Sequence, residues 1–309
     1  MVLWEYGVTL SLEKGIKMHI KDIYKKENVV VSFEVFPPKR EKNFQSVIKT
    51  SQELAELKPS FISVTYGAAG EQKSTDFTIR LASAIKNKYN TEALVHLTCI
   101  NSTIDQIKEN VAKIKEEGLE NILALRGDRV NNETNNDFKY AKDLVRVLRT
   151  QGVCIGAACH PEGHIETKNE VLNYLYLKEK VNQGVDFLVS QLFFDNNSFF
   201  TFYENLRDLG IDIPISAGIM PVINTRQIRK ITSLCGAKVP AKFERIMNKY
   251  QDNKIALRDA GIAYATEQII DLLSYGVEGI HLYVMNRADV AKRLFDNINS
   301  IVKELKIKE

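Results

Sequence analysis

The chain has 309 residues, 44% of them hydrophobic and 26% charged, which fits a soluble globular protein with room for one large domain or two average ones. Its 42 basic and 39 acidic side chains leave a formal net charge of +3 with no long Lys/Arg block, so neither nucleic acid nor an anionic membrane is expected as a partner. Glu5, Glu13 and Lys14 interrupt the N-terminal apolar residues before a signal-peptide core can form. No stretch approaches the roughly 18 uninterrupted apolar residues of a membrane span. Four cysteines, Cys99, Cys154, Cys159 and Cys235, form no C-x-x-C pair and read as reduced, buried thiols of a cytoplasmic protein.

Residues 1–17 read as an N-terminal extension, and "MHIKDIYKKENVVVSFEVFPPK" from Met18 as the start of a single domain running to residue 309. Eight β-rich runs follow in order: "NVVVSFEVF" (28–36), "FISVTYG" (61–67), "ALVHLTCI" (93–100), "NILALRGD" (121–128), "VCIGAACHP" (153–161), "DFLVSQLFF" (186–194), "IPISAGIMP" (213–221) and "EGIHLYVMN" (278–286). Segments of helical period separate them. After the third run, Ser102 or Thr103 is placed to cap a helix whose stripe is Ile104, Ile107, Val111 and Ile114, and Gly118 to end it. Similar helices are expected over 168–183, ending at Gly184, and 196–209, ending at Gly210. The alternation, with strands too apolar for a half-solvated sheet, predicts an α/β single-domain (β/α)8 barrel. A doubly wound open sheet is the alternative, but no G-x-G-x-x-G opens a helix.

Two segments break the regularity inside the barrel. The polar loop 129–137, "RVNNETNND", follows the fourth strand where a mobile lid would sit, and about 55 residues separate the last two strands, which calls for an extra helix before the last strand. Polar residues gather at the C-terminal ends of the strands, where a barrel of this kind carries its active site: Glu34, Thr65, Arg126, Asp128, His160, His164, Gln191, Asn286 and Arg287, with His96 slightly deeper. Several have plainer readings, Gln191 as a core amide, Asp128 as a turn residue and Asn286 as a helix cap. Glu34 resists such a reading, because a carboxylate inside "SFEVFPP" is costly to bury unless it is used. His160 and His164 are separated like helical zinc ligands, but Pro161 and Gly163 lie between them, and no metal is expected. H-E-x-x-H, G-x-S-x-G and P-loop patterns are absent.

Taken together, "SFEVFPPK", "SVTYGAAG", "HLTCI", "ALRGD", "QLFFD", "GIMPV" and "NRAD" resemble, in order and spacing, the methylenetetrahydrofolate reductases over roughly residues 18–300. The resemblance implies a TIM barrel that binds FAD, takes hydride from NADH or NADPH, and reduces 5,10-methylenetetrahydrofolate to 5-methyltetrahydrofolate, an oxidoreductase of one-carbon metabolism. It makes Glu34 the general acid that protonates N10 of the folate, and Asp128 the carboxylate beside pterin and flavin that stabilises the cationic 5-iminium. The implied cofactor shell is Thr65, Tyr66, Ala68, His96, Arg126, Gly127, Asp128, Tyr140, Ala141, His160, His164 and Lys180. Asp128, Gln191, Gln227 and Arg287 match folate-contacting positions. Phe33 and Phe36 are expected to give Glu34 an apolar surround, and Arg126 to accompany Asp128.

The departures are Ile231, where some bacterial members carry a phenylalanine, and His160, where tyrosine is frequent. With the chain ending near residue 309, the regulatory domain of eukaryotic relatives, and control by S-adenosylmethionine, are not expected. The expected partners are the folate and further copies of the chain in a homo-oligomer. A redox partner subunit belongs to the alternative reading, a barrel subunit of a larger electron-transfer complex.

Overall fold

Strands covered on both faces cannot show alternate residues to water, and these do not: Val30–Val35 (β1), Phe61–Val64 (β2) and Phe187–Ser190 (β6) are buried at every position. Parallel pairing with helices outside the sheet meets that condition. In the computed structural model, which describes residues 18–38, 40–66, 72–128 and 137–305, the remaining strands are Glu92–Thr98 (β3), Asn121–Leu125 (β4), Cys154–Cys159 (β5), Ile215–Ile219 (β7) and Gly279–Leu282 (β8). Each pairs in parallel with its sequence neighbour and β8 returns to β1, closing an eight-stranded barrel. The eight expected runs all contain a strand; each run overshoots it into a loop on the functional face.

The helices α2 (Phe44–Ala55), α3 (Gln72–Ser83), α4 (Ile104–Glu116), α5 (Ala141–Arg149), α6 (Glu170–Asn182) and α7 (Asn196–Asp208) follow the first six strands, the first being separated from β1 by a short 3-10 turn, Glu41–Asn43. Thr103 is the cap of α4, with a full capping box to Gln106. Gly118, Gly184 and Gly210 stop their helices with φ of +75°, +113° and +72°. The helical material expected before the last strand is present as three helices, α8 (Thr225–Cys235), α9 (Ala241–Tyr250) and α10 (Lys254–Tyr275), two more than one per strand; α11 (Ala288–Leu305) follows β8. No helix among the described residues is long and apolar enough to cross a membrane.

A short helix, Ile20–Lys26 (α1), precedes β1 and closes the lower, N-terminal end of the barrel. Ile20, Ile23 and Tyr24 pack against the interior residues Phe61, Leu94, Leu123, Cys154 and Phe187, each burial contributing about 1.5–3 kcal/mol. Polar partners fix the plug: Ile20 N–H donates to Asn121 Oδ1 at 2.8 Å, Asn121 Nδ2 donates to Met18 O at 3.1 Å, and the Tyr24 and Ser216 hydroxyls meet at 2.7 Å. Residues 1–17 lie outside the described residues.

Candidate active site

The alternation along β1 sorts its side chains. Val31, Phe33 and Val35 belong to the layer between barrel and helices, with Phe33 edge-on to Phe295 of α11 at 6.3 Å. Glu34 therefore points the other way, to the barrel axis. The expected cover by Phe33 is not what surrounds it: Phe33 lies across the sheet. The neighbours of the carboxylate are two imidazoles, His96 Nε2 at 3.6 Å and His281 Nε2 at 3.7 Å.

Glu34 is 7% exposed and His281 1%. His281 Nδ1 lies 2.7 Å from Ser32 Oγ, which in turn is 3.4 Å from Ile280 O. A Ser32 hydroxyl that donates to that carbonyl accepts from Nδ1–H, which assigns the tautomer leaving Nε2 toward Glu34. The His281 ring is further held edge-on by Tyr283 at 5.0 Å, whose hydroxyl donates to Ser190 O at 2.7 Å. Burial pushes the Tyr283 phenol well above its ordinary pKa. His96 has no hydrogen-bond partner for its buried Nε2, and neither does Ser63 Oγ, whose residue sits opposite Glu34 in the β1–β2 ladder. Burial, opposed by Glu34, lowers the His96 pKa to about 4, so the ring is neutral at neutral pH.

Over this cluster opens a cleft of about 1740 Å³ at the C-terminal ends of the strands, larger than the 300–1,000 Å³ of most small-ligand sites. It brings together Thr65, Tyr66, His96, Arg126, Gly127, Asp128, Tyr140, Ala141, His160, His164, Lys180 and Gln191. Thr65 is tied to β1 by its N–H to Val35 O at 3.0 Å. Gly127 takes φ of +91°, and a Cβ there would stand 2.7 Å from Ile100 Cγ2, so only glycine fits this close approach to Ile100 and Thr98. Lys180 Nζ donates to Ala158 O at 2.5 Å, and burial lowers its pKa to about 8. The rings of His160 and His164 meet edge-to-face at 4.8 Å, and desolvation pulls His160 down to about 3, assisted by Lys180 and His164. Ala68 and the loop 129–136, most of the expected lid, lie outside the described residues.

Three placements differ from expectation. Arg126 does not reserve itself for Asp128: it forms a two-pronged pair with Glu166 at 2.7 and 2.6 Å, and Asp128 is exposed at the rim. Gln227 lies apart from the large cleft, in a small depression walled by Met220, Asn224, Tyr283 and Met285. Arg287, also outside the cleft lining, is paired with Asp289 at 2.8 and 2.7 Å. Sequence reasoning missed His281, Tyr283, Ser63 and Glu166. His281 carried the same signal as Glu34, a polar residue inside an apolar run, and Ser63 carried a weaker form of it. Glu166 gave none, since its partner lies 40 residues away.

The arrangement offers a buried carboxylate between two imidazoles, one of which, His96, reaches a dinucleotide-sized cleft with aromatic and cationic walls. Residues 19–299 match the family model described as methylenetetrahydrofolate reductase. The 5,10-methylenetetrahydrofolate reductase of Escherichia coli is 34% identical over 263 residues, covering 84% of this chain and 88% of that one. Methylenetetrahydrofolate reductase (NADH) 1 of Arabidopsis thaliana is 32% identical over 307 residues, covering 93% of this chain and 51% of its own length; the chain spans about half the length of such plant relatives. Among solved structures, a Clostridium thermocellum protein described as binding two copies of 5-methyl-5,6,7,8-tetrahydrofolic acid superposes with a TM-score of 0.64 at 12% identity, covering 92% of this chain and 100% of that one, a likeness of fold. The chain belongs to the methylenetetrahydrofolate reductase family.

Proposed function

We propose that this chain reduces 5,10-methylenetetrahydrofolate to 5-methyltetrahydrofolate, with FAD as resident cofactor and NADH or NADPH as reductant. The observation that carries the reading is Glu34, a buried carboxylate held 3.6 and 3.7 Å from two imidazole nitrogens, one of them on His96, which lines the cleft. Family membership and the E. coli relative's name supply the substrate class.

The residues present fit FAD. The buried His96 Nε2, at the edge of the cleft, awaits a partner, and Tyr66, Tyr140, His160 and Lys180 give aromatic and cationic walls to a planar ring and a pyrophosphate. When bound, FAD supplies the two-electron store between nicotinamide and folate. The chain's own residues do the rest. Glu34 gives a proton to N10, which opens the imidazolidine ring of the substrate and leaves a cationic 5-iminium. The Asp128 carboxylate at the rim stabilises that positive charge. Thr65 and Gln191, facing the same cleft from β2 and β6, orient the nicotinamide and the pterin in turn. Gln227 and Arg287, outside the cleft lining, hold the remainder of the folate, the guanidinium exchanging Asp289 for a substrate carboxylate.

The absorbance spectrum of the purified protein tests the reading. It predicts bound flavin, anaerobic bleaching by NADH or NADPH alone, and return of colour with 5-methyltetrahydrofolate on adding the methylene substrate. Protein without flavin, or flavin that bleaches only when another protein delivers electrons, contradicts it, and the second outcome identifies an electron-transfer subunit instead.

A further inference from the structure

Asn286 is not the helix cap that its place before Arg287 suggests. The Arg287 carbonyl accepts the first α11 bonds, from Val290 N–H at 3.1 Å and Ala291 N–H at 3.0 Å. The Asn286 side chain reaches 250 residues back to the end of the acid's strand: Phe36 N–H donates to Asn286 Oδ1 at 2.8 Å, and Asn286 Nδ2 donates to Phe36 O at 2.9 Å. The β1–β8 register ends at Phe33 opposite Leu282. The amide thus adds a rung beyond the point where the two backbones part.

That rung falls where β1 most needs it. Glu34 is the next-to-last residue of the strand, and Pro37 and Pro38, which follow Phe36, have no N–H to give. Past Glu34 the backbone is held on the β2 side by Thr65 N–H to Val35 O at 3.0 Å, and on the β8 side by Asn286. The device carries local strain. Met285 and Asn286 adopt φ of +52° and +55°, two successive non-glycine residues in the left-handed region. Asn tolerates that backbone, and its amide alone among such residues matches both the donor and the acceptor of one residue. Aspartate lacks the donor, and glycine lacks both groups.

We propose that Asn286 is a positioning residue for Glu34: it clamps the end of β1 so that the carboxyl is held at the reach required for protonating the folate. This rests on the reading of Glu34 as the acid. The same residue precedes Arg287, so the loop that meets the folate at one end fixes the acid's strand at the other.

The experiment is stopped-flow kinetics of the flavin-loaded enzyme, each half-reaction separately, for Asn286→Gly, Asn286→Asp, Glu34→Gln and Asn286→Gly in the Glu34→Gln background. Glycine accepts the left-handed backbone, so Asn286→Gly keeps the loop while removing the clamp. The proposal predicts that reduction of the flavin by NADH is unchanged, that the folate half-reaction at saturating folate falls roughly 10²-fold, the scale of an ångström-sized misplacement, and that Asn286→Asp falls with it. In the Glu34→Gln background, Asn286→Gly adds no further loss, because the two act through one proton transfer. A wild-type folate rate in Asn286→Gly, equal loss in both half-reactions, or additive losses in the double variant would each overturn it. If Glu34→Gln itself keeps the wild-type folate rate, the acid assignment fails; if Glu34→Gln loses it and Asn286→Gly does not, the clamp alone fails.

Discussion

At the lower end of the barrel Glu92, Asn121 and Tyr24 find partners, whereas at the upper end two polar groups beside Glu34 face none. Below, Lys86 Nζ reaches both oxygens of Glu92 at 2.9 and 3.0 Å, Asn121 Nδ2 joins the same carboxylate at 3.0 Å, and Tyr24 pairs with Ser216 under the α1 plug. Above, Ser63 Oγ and His96 Nε2 are buried without hydrogen-bond partners beside Glu34. Each unmet buried group costs about 1–3 kcal/mol. The paired groups below contribute stability, and the unmet groups above lie where the ligands are proposed to bind. The predictions below are ways to make one end fail without the other.

Breaking the lower end gives the largest expected change in stability. Lys86→Met leaves the buried Glu92 carboxylate without its cation, and unfolding by denaturant should show a loss of about 3–5 kcal/mol. Burial already raises the Glu92 pKa against the pull of Lys86. Without the lysine the folded state favours the protonated acid still more, so the deficit should shrink as pH falls through the carboxylate range. Slowed folate reduction without lost stability would show that the two ends are not separable.

At the upper end, Asp128→Asn should slow the folate half-reaction roughly tenfold, about 1.4 kcal/mol of barrel-mouth charge stabilisation. The exposure of the carboxylate keeps the effect well below that of the buried acid. Removing an anion near the flavin should also make it easier to reduce. Potentiometry together with single-turnover folate reduction checks both, and no change in either rejects the role.

A further effect separates the ends by pH. His160 is held near pKa 3 by burial with Lys180 and His164, against an ordinary value near 6.5. The folded state binds fewer protons than the unfolded one across that interval, so stability should fall as pH drops from about 6.5 toward 3. His160→Tyr should flatten that slope in thermal unfolding at stepped pH, and an unchanged slope would place the acid sensitivity elsewhere. The smallest effect is expected from starting the chain at Met18, whose carbonyl already meets Asn121 Nδ2 at 3.1 Å. Melting temperature and flavin content should match the full chain, and loss of either would make residues 1–17 part of the core.

What could be read beforehand divides along physical lines. Strand runs, the Thr103 cap and the glycine stops are local patterns, and all were legible. Glu34, His96, Thr65 and Gln191 were legible as polar residues at strand ends, where a parallel barrel concentrates its chemistry. Long-range pairings were not. Nothing near Asn286 announces a partner 250 residues away, Arg126 meets Glu166 across 40 residues, and α1 becomes visible as a plug only when Phe61, Leu94 and Phe187 converge beneath it. The misplaced role of Phe33 is a lesson in period: an i−1 neighbour on a strand faces the other side.

The central claim is that Glu34 occupies the upper interior to deliver a proton, and Glu34→Gln tests it most directly. The amide preserves shape and polarity but is no acid. Stopped-flow measurement of the two half-reactions should find flavin reduction by nicotinamide intact and folate reduction lower by roughly 10² to 10⁴. Equal impairment of both half-reactions would make Glu34 a structural residue, and a wild-type folate rate would mean that the proton comes from another group.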